Sequence, residues 1–168
     1  SGGDSGVYGM AGLVGEVLHQ RGSRLAVEVI PGVPAMVAAG ALLGAPLTGD
    51  VASVSLSNYL VPWEEISRRL HTAAQGNFVI ALYNPKSKAR QRQLREAREI
   101  ILQYRSASTP VGIVTGAYRA EQSVTVTDLE HMLDHPIDMN TIVIIGHSSP
   151  FTFRDWMVTP RGYQPKYS

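Results

Sequence analysis

The run Phe78-Val-Ile-Ala-Leu82 carries no polar side chain. A strand sends successive side chains to opposite faces of its sheet, so an unbroken apolar run needs cover on both faces. Helices packed on the two sides of a sheet provide that cover. Strand-like and helix-period segments alternate along this chain, which predicts an α/β fold with helices on the faces of a mixed, mostly parallel sheet.

Apolar residues at Val7, Met10, Leu13, Val14, Val17 and Leu18 predict a helix over 7–21, capped by Asp4 or Ser5 and ended by Gly22. Ala26–Ile30 predicts a short strand closed by Pro31-Gly32, and 35–43 a buried, Ala-rich helix. Gly44–Asp50 is crowded with breakers and reads as a linker, dividing the chain into parts 1–46 and 47–168. Alternation resumes at Val51–Ser57, and Pro62 opens a helix whose apolar face is Trp63, Ile66, Leu70 and Ala73. Residues 87–105 predict a long basic helix. Strands follow at 111–114 and 124–126, then a short helix over 127–133 and a last strand over 141–145. The tail from Pro150 has no clean period.

Fifteen Lys and Arg against fourteen Asp and Glu leave a formal charge of +1, so no net field recruits nucleic acid or membrane. No apolar stretch approaches the ~18–20 residues that span a bilayer. The absence of cysteine excludes disulfides, thiolate metal sites and cysteine nucleophiles, and fits a reducing cytoplasm. Ser1-Gly2-Gly3-Asp4 reads as the inside of a loop, so the chain is expected to be part of a longer one.

Four places carry candidate chemistry. In Gly2-Gly3-Asp4-Ser5-Gly6-Val7-Tyr8-Gly9, small residues before a helix open backbone N–H groups to a ligand. Asp4 there suits a ribose hydroxyl or a cation, although a capped helix start explains the same residues. It is neither G-x-G-x-x-G, nor a P-loop, nor a G-x-S-x-G nucleophile elbow. Ile30-Pro31-Gly32-Val33-Pro34-Ala35 is a strand end turning into a helix, where ligands of open α/β sheets lie, or simply a β–α turn. Leu82-Tyr83-Asn84-Pro85 begins a third strand-end loop, and Lys86, Lys88 and Arg90 border it. They are candidates to receive a polyanion, or form a solvated basic face with Arg92, Arg95, Arg98 and Arg105. His131 and His135 stand four apart, but Met132 replaces the glutamate of the zinc-protease motif, so no protein-bound metal is expected. With no evident nucleophile or acid–base pair, transfer from an activated donor suits the chain better than hydrolysis.

Several segments together resemble the tetrapyrrole (uroporphyrinogen and precorrin) methylases. The first loop is similar to their GGDP-x-[IV]-[YF]-G, and Glu28-Val29-Ile30-Pro31-Gly32-Val33-Pro34-Ala35 to their E-V-[VI]-P-G-[VI]-[TS]-[AS]. Pro34 therefore stands where Thr or Ser is usual, Ser5 where Pro is, and Asn58 where relatives tend to have Asp. Ser55–Asn58, Pro62-Trp63, Phe78–Arg90, Pro110–Val114 and Met157–Tyr163 resemble the branch that methylates precorrin-3B at C-17 with ring contraction, in cobalamin synthesis. The resemblance implies a two-lobed fold, here the end of the N-terminal lobe (1–46) plus the C-terminal lobe (47–168). It also implies a homodimer and S-adenosylmethionine bound between the lobes. The family's cofactor contacts carry over to Gly3, Asp4, Val7, Pro34, Ala35, Tyr83, Gly116, Ala117 and Thr141. Lys86, Lys88 and Arg90 become partners for the acetate and propionate groups of an anionic tetrapyrrole. Tyr8, Ser57 and Asn84 are the candidates for acid–base help. A methylase acting at another ring position, or a non-catalytic α/β fragment, are the alternatives, and the family's opening strand and G-x-G-P-G loop lie upstream of Ser1.

Overall fold

A computed structural model describes residues 2–87 and 90–163. In chain order its elements are α1 (Met10–Gln20), α2 (Ala35–Leu43), β1 (Gly44–Ala45), β2 (Val51–Ser55), α3 (Trp63–Gln75), β3 (Val79–Tyr83), α4 (Gln93–Leu102), β4 (Pro110–Thr115), β5 (Ser123–Asp128), β6 (Thr141–Ile145), β7 (Phe151–Phe153) and β8 (Trp156–Val158). Among the described residues, no helix is long and apolar enough to cross a membrane.

Five strands form the main sheet, in the order β2-β3-β6-β4-β5. It is mixed, as the alternation predicts, but it is not mostly parallel. Only β2 and β3 pair in parallel. β2, β3 and β4 are linked by helices and point the same way, but β6 inserts between β3 and β4 against both of them. β5 returns along β4 through a short turn, which forces an antiparallel pair. A second sheet of three short strands, β1-β8-β7, stands beside it.

Both faces of the main sheet are covered, as the run at 78–82 requires. Ile80, Leu82, Val143 and Ile145 face the core under α3 and α4, with Ile66, Leu70, Ala97 and Ile101. The alternate residues Val79, Ala81, Ile142 and Ile144 face Ala39 and Leu43 of α2 and Met157 of β8. Contact with α2 is close enough that a Cβ at Gly112 would lie 2.3 Å from Leu43 Cδ1. Helix α2 therefore shares its core with strands beyond the 44–50 turn.

Several expectations are corrected. Residues 26–30 are not a strand. No strand among the described residues lies beside them, and an isolated strand leaves its backbone groups unpaired. Helix α1 begins at Met10 rather than 7, because Tyr8 takes a left-handed φ of 51° and Gly9 is the N-cap. Helix α1 has no buried residue. The basic helix is shorter than 87–105, because Ser87 and Arg90 close a turn through their backbones before α4 starts. Arg105 lies beyond α4 with 6% exposure, donating to the carbonyls of Phe78 (2.8 Å), Ala74 (3.4 Å) and Gly146. Residues 127 and 128 extend β5, which leaves a 3-10 turn at Met132–Asp134 in place of the short helix. The tail holds a hairpin, β7–β8, that its irregular spacing hides.

Candidate functional site

Because β6 runs against β3 and β4, its first residues sit beside their last ones. Thr141 pairs with Thr115, and Val143 with Ile113 and Leu82. A cavity of about 650 Å³ opens at this end of the sheet, with the first loop and the start of α2 as its opposite wall. That volume lies within the range of small-molecule sites.

The first loop is held to the second by one carboxylate. Asp4 Oδ1 accepts the Gly6 N–H at 2.8 Å, and Oδ2 accepts the Gly32 N–H at 2.9 Å. These two bonds, Gly32 first, hold its carboxyl below the usual value of 3.8, so it is ionised near neutrality. The backbones pass so closely that a Cβ at Gly32 would lie 2.3 Å from the Gly3 carbonyl oxygen. Asp4 is thus a clamp between loops rather than the N-cap expected for α1.

Two tyrosines continue the contact. The Tyr8 ring lies 4.8 Å from that of Tyr83, and its hydroxyl donates to the Ser53 carbonyl of edge strand β2 at 3.0 Å. The Tyr83 hydroxyl accepts the Met36 N–H of α2 at 3.0 Å. Asn84, next along, has φ of 50° and donates its Nδ2 to Ser55 Oγ at 3.0 Å. Opposite, Gly116 (φ 56°) and Tyr118 (φ 58°) turn the chain out of β4. Thr141, buried at the start of β6, meets Thr115 Oγ1 at 2.8 Å and donates to Asp138 Oδ1 at 3.0 Å. Tyr8, Asn84 and Tyr118 are three of the five non-glycine residues with left-handed φ among those described. All three line the cavity, and such strained conformations gather at functional sites.

The nine residues assigned to the cofactor by resemblance, Gly3, Asp4, Val7, Pro34, Ala35, Tyr83, Gly116, Ala117 and Thr141, all line this one cavity. So do Tyr8 and Asn84. Ser57 does not; its hydroxyl accepts from Arg90 Nη1 at 3.0 Å. Arg90 stands behind the cavity wall, donating also to the Asn84 carbonyl at 3.3 Å. Lys86 is likewise absent from the lining, and Lys88 lies outside the described residues. Elsewhere, His131 bonds Asp128 at 2.8 Å, away from the cavity.

The cavity also includes Tyr118, Arg119, Glu121, Met139 and Asn140, which sequence reasoning missed. The position of 118–121 at the end of a strand was the available signal. The entry of Met139 and Asn140 depends on β6 being antiparallel, which no local pattern states. The site is rich in backbone and hydroxyl groups, with Asp4 and Glu121 as carboxylates and Arg119 as the cation among the described lining residues. That inventory suits holding and aligning two reactants better than attacking one of them.

Comparison with known proteins bears on the family and the fold. The pattern of the Tetrapyrrole (Corrin/Porphyrin) Methylases matches residues 1–133. The chain is 52% identical to the cobalt-factor III methyltransferase of Priestia megaterium, covering 100% of this chain and 32% of that protein. It is 44% identical to the precorrin-3B C(17)-methyltransferase of a Sinorhizobium species, over 97% of this chain and 67% of that one. The crystal structure of the methyltransferase CobJ superposes with a TM-score of 0.88 at 34% identity, covering 95% of this chain and 68% of that chain. This chain thus spans about a third of the Priestia relative's length and about two thirds of the other two.

Proposed function

The chain belongs to the tetrapyrrole (corrin/porphyrin) methylases, and from that premise we propose that it forms the donor-binding part of an S-adenosylmethionine-dependent methyltransferase acting at C-17 of precorrin-3B or its cobalt counterpart, with ring contraction, in cobalamin synthesis. The observation that carries this reading is the convergence of three separated loops, beginning at Asp4, Ile30 and Tyr83, on one cavity of about 650 Å³.

The residues present fit the donor. The first two loops pack backbone to backbone at Gly3 and Gly32, which brings Gly3, Asp4, Val33 and Pro34 to one side of the cavity. Asp4 spends one hydrogen bond from each oxygen on Gly6 and Gly32, and each oxygen keeps a lone pair for a ribose hydroxyl. Tyr83, Gly116, Ala117 and Thr141 form the opposite side. S-adenosylmethionine supplies a methyl group already activated by its sulfonium, so the protein needs no nucleophile of its own. Its share is to align acceptor carbon and methyl in line and to exclude water.

Arg119, the cation among the described lining residues, is the one placed for a substrate carboxylate, and Lys86 and Lys88 stay in the proposal on the resemblance alone. Arg90 serves by supporting Asn84. Tyr8 and Asn84 are the side chains offered for proton transfer during ring contraction. Homodimerisation and a cytoplasmic setting belong to the same proposal; the exposed apolar residues of α1 and the lack of cysteine support them.

The test is methyl transfer from labelled S-adenosylmethionine to precorrin-3B and to cobalt-factor III by the gene product that carries these 168 residues. Labelled, ring-contracted product from either acceptor supports the reading. Methylation of a different precorrin keeps the family and changes the substrate. Failure to bind S-adenosylhomocysteine in calorimetry overturns the assignment of the cavity.

A further inference from the structure

A helix leaves its first N–H groups without partners, and a Ser, Thr, Asp or Asn at the N-cap normally accepts one of them. The N-cap of α2 is Pro34, whose side chain accepts nothing. The second N–H of the helix, Met36, donates instead to the hydroxyl of Tyr83, 47 positions along the chain. Packing holds this end of α2 only in part: Met36 is half-buried against the core, and the fully buried residues of the helix, Ala39, Gly40 and Leu43, all lie beyond the first turn. The tyrosine is itself held, half-buried at the end of β3, with the Tyr8 ring 4.8 Å away and tilted by 49°. Tyr8 is in turn tied to the edge of the sheet at Ser53. A continuous line of contacts therefore runs from β2 through two tyrosines to the start of α2. Val33, Pro34, Ala35 and Ala38 of the cavity wall ride on that helix start.

We propose that the Tyr83 hydroxyl is the N-cap of α2, supplied by the sheet in place of the side chain Pro34 lacks, and that it acts on the ligand through α2 as a positioning residue. Its ligand arm rests on the reading of the cavity as a donor site; its capping arm does not. Burial pushes the Tyr83 phenol up, so the oxygen that accepts the amide stays neutral over the working pH range.

The test is a cycle of Tyr83→Phe, Pro34→Thr and the double variant in the gene product. Pro34 has φ −68° and ψ 152°, a conformation an N-cap threonine adopts, so Pro34→Thr installs a local cap. Hydrogen exchange across residues 34–43 reads the cap, and calorimetry with S-adenosylhomocysteine reads the cavity. Tyr83→Phe is expected to speed exchange of the first turn and to weaken binding, each about fivefold, in the Pro34 background. In the Pro34→Thr background both effects should shrink to less than about twofold. An equal loss of affinity in both backgrounds would mean that the hydroxyl meets the ligand directly, and overturns the positioning role. Unchanged exchange in Tyr83→Phe overturns the cap. A parent protein that binds no S-adenosylhomocysteine removes the donor-site reading and the positioning role with it, while the exchange measurement still decides the cap.

Discussion

The two walls of the cavity are built in opposite ways. One is the ends of β3, β4 and β6, where Thr141, Ile142 and Val114 are buried in a sheet covered on both faces. The other is the first loop and the start of α2, held by the half-buried Met36 and by side-chain bonds from Asp4 to Gly32, Tyr8 to Ser53 and Tyr83 to Met36. Behind this second wall α1 buries nothing, and Met10, Leu13 and Val17 face outward. The first wall owes its shape to packing. The second owes it more to hydrogen bonds, which contribute little to global stability but set the spacing of loops. Substitutions in the two walls should therefore separate folding from ligand binding.

The largest separation is expected between Ile144→Ala and Leu13→Ala in the 168-residue chain. Ile144 is fully buried between the sheet and α2, and its truncation should cost about 2–5 kcal/mol in denaturant unfolding. Leu13 is exposed, and its truncation should stay within about 0.5 kcal/mol. Comparable losses would break the contrast.

Gly32→Ala should reverse the pattern. Its Cβ would meet the Gly3 carbonyl, backbone against backbone, so the loops must part. Affinity for S-adenosylhomocysteine should fall by more than about tenfold, since displacements near 1 Å at a site are costly. The core lies elsewhere, so the unfolding midpoint should move little.

Asp4→Asn tests the clamp with a loss of about three- to tenfold in affinity, because one of the Gly6 and Gly32 amides keeps only a neutral acceptor oxygen and the other faces an NH2 donor. The same bonds fix the sign of the pH dependence. With the folded carboxyl below 3.8, the clamp is present at any pH above that value and is lost as pH falls through the lowered folded value. Affinity measured from pH 8 to 5 should not vary on account of Asp4; a titration centred in that span would remove the ionised clamp.

Tyr8→Phe should show the smallest effect, about two- to threefold in affinity. It removes two hydrogen bonds to Ser53, one donated to its carbonyl and one accepted from its hydroxyl, and keeps the ring beside Tyr83. A loss as large as that of Gly32→Ala would mean that the hydroxyl, not the ring, carries the brace.

Elements that bury a continuous or strictly periodic apolar set were legible in the sequence. The runs at 79–82 and 142–145, the face Ile66, Leu70 and Ala73 of α3, and the small residues of α2 state their own structure, because period and burial are local properties of the chain. The loop ends that meet at the cavity were legible too, since glycine, proline and asparagine after a strand mark a turn wherever the strand goes. What no local pattern carries is which neighbours a segment finds. Residues 26–30 have strand alternation but no partner among the described residues, so they form no strand. Arg105 belongs by sequence to a solvated basic run, yet it is buried because three carbonyls converge on it from elsewhere. β6 enters the sheet antiparallel and brings Met139 and Asn140 to the site. The cap of α2 comes from Tyr83 in β3. Periodicity and turn chemistry act between residues a few positions apart, and the sequence by itself determines their outcome. Strand order, the burial of Arg105 and the capping of α2 depend on groups tens of positions apart, and only the tertiary structure decides those.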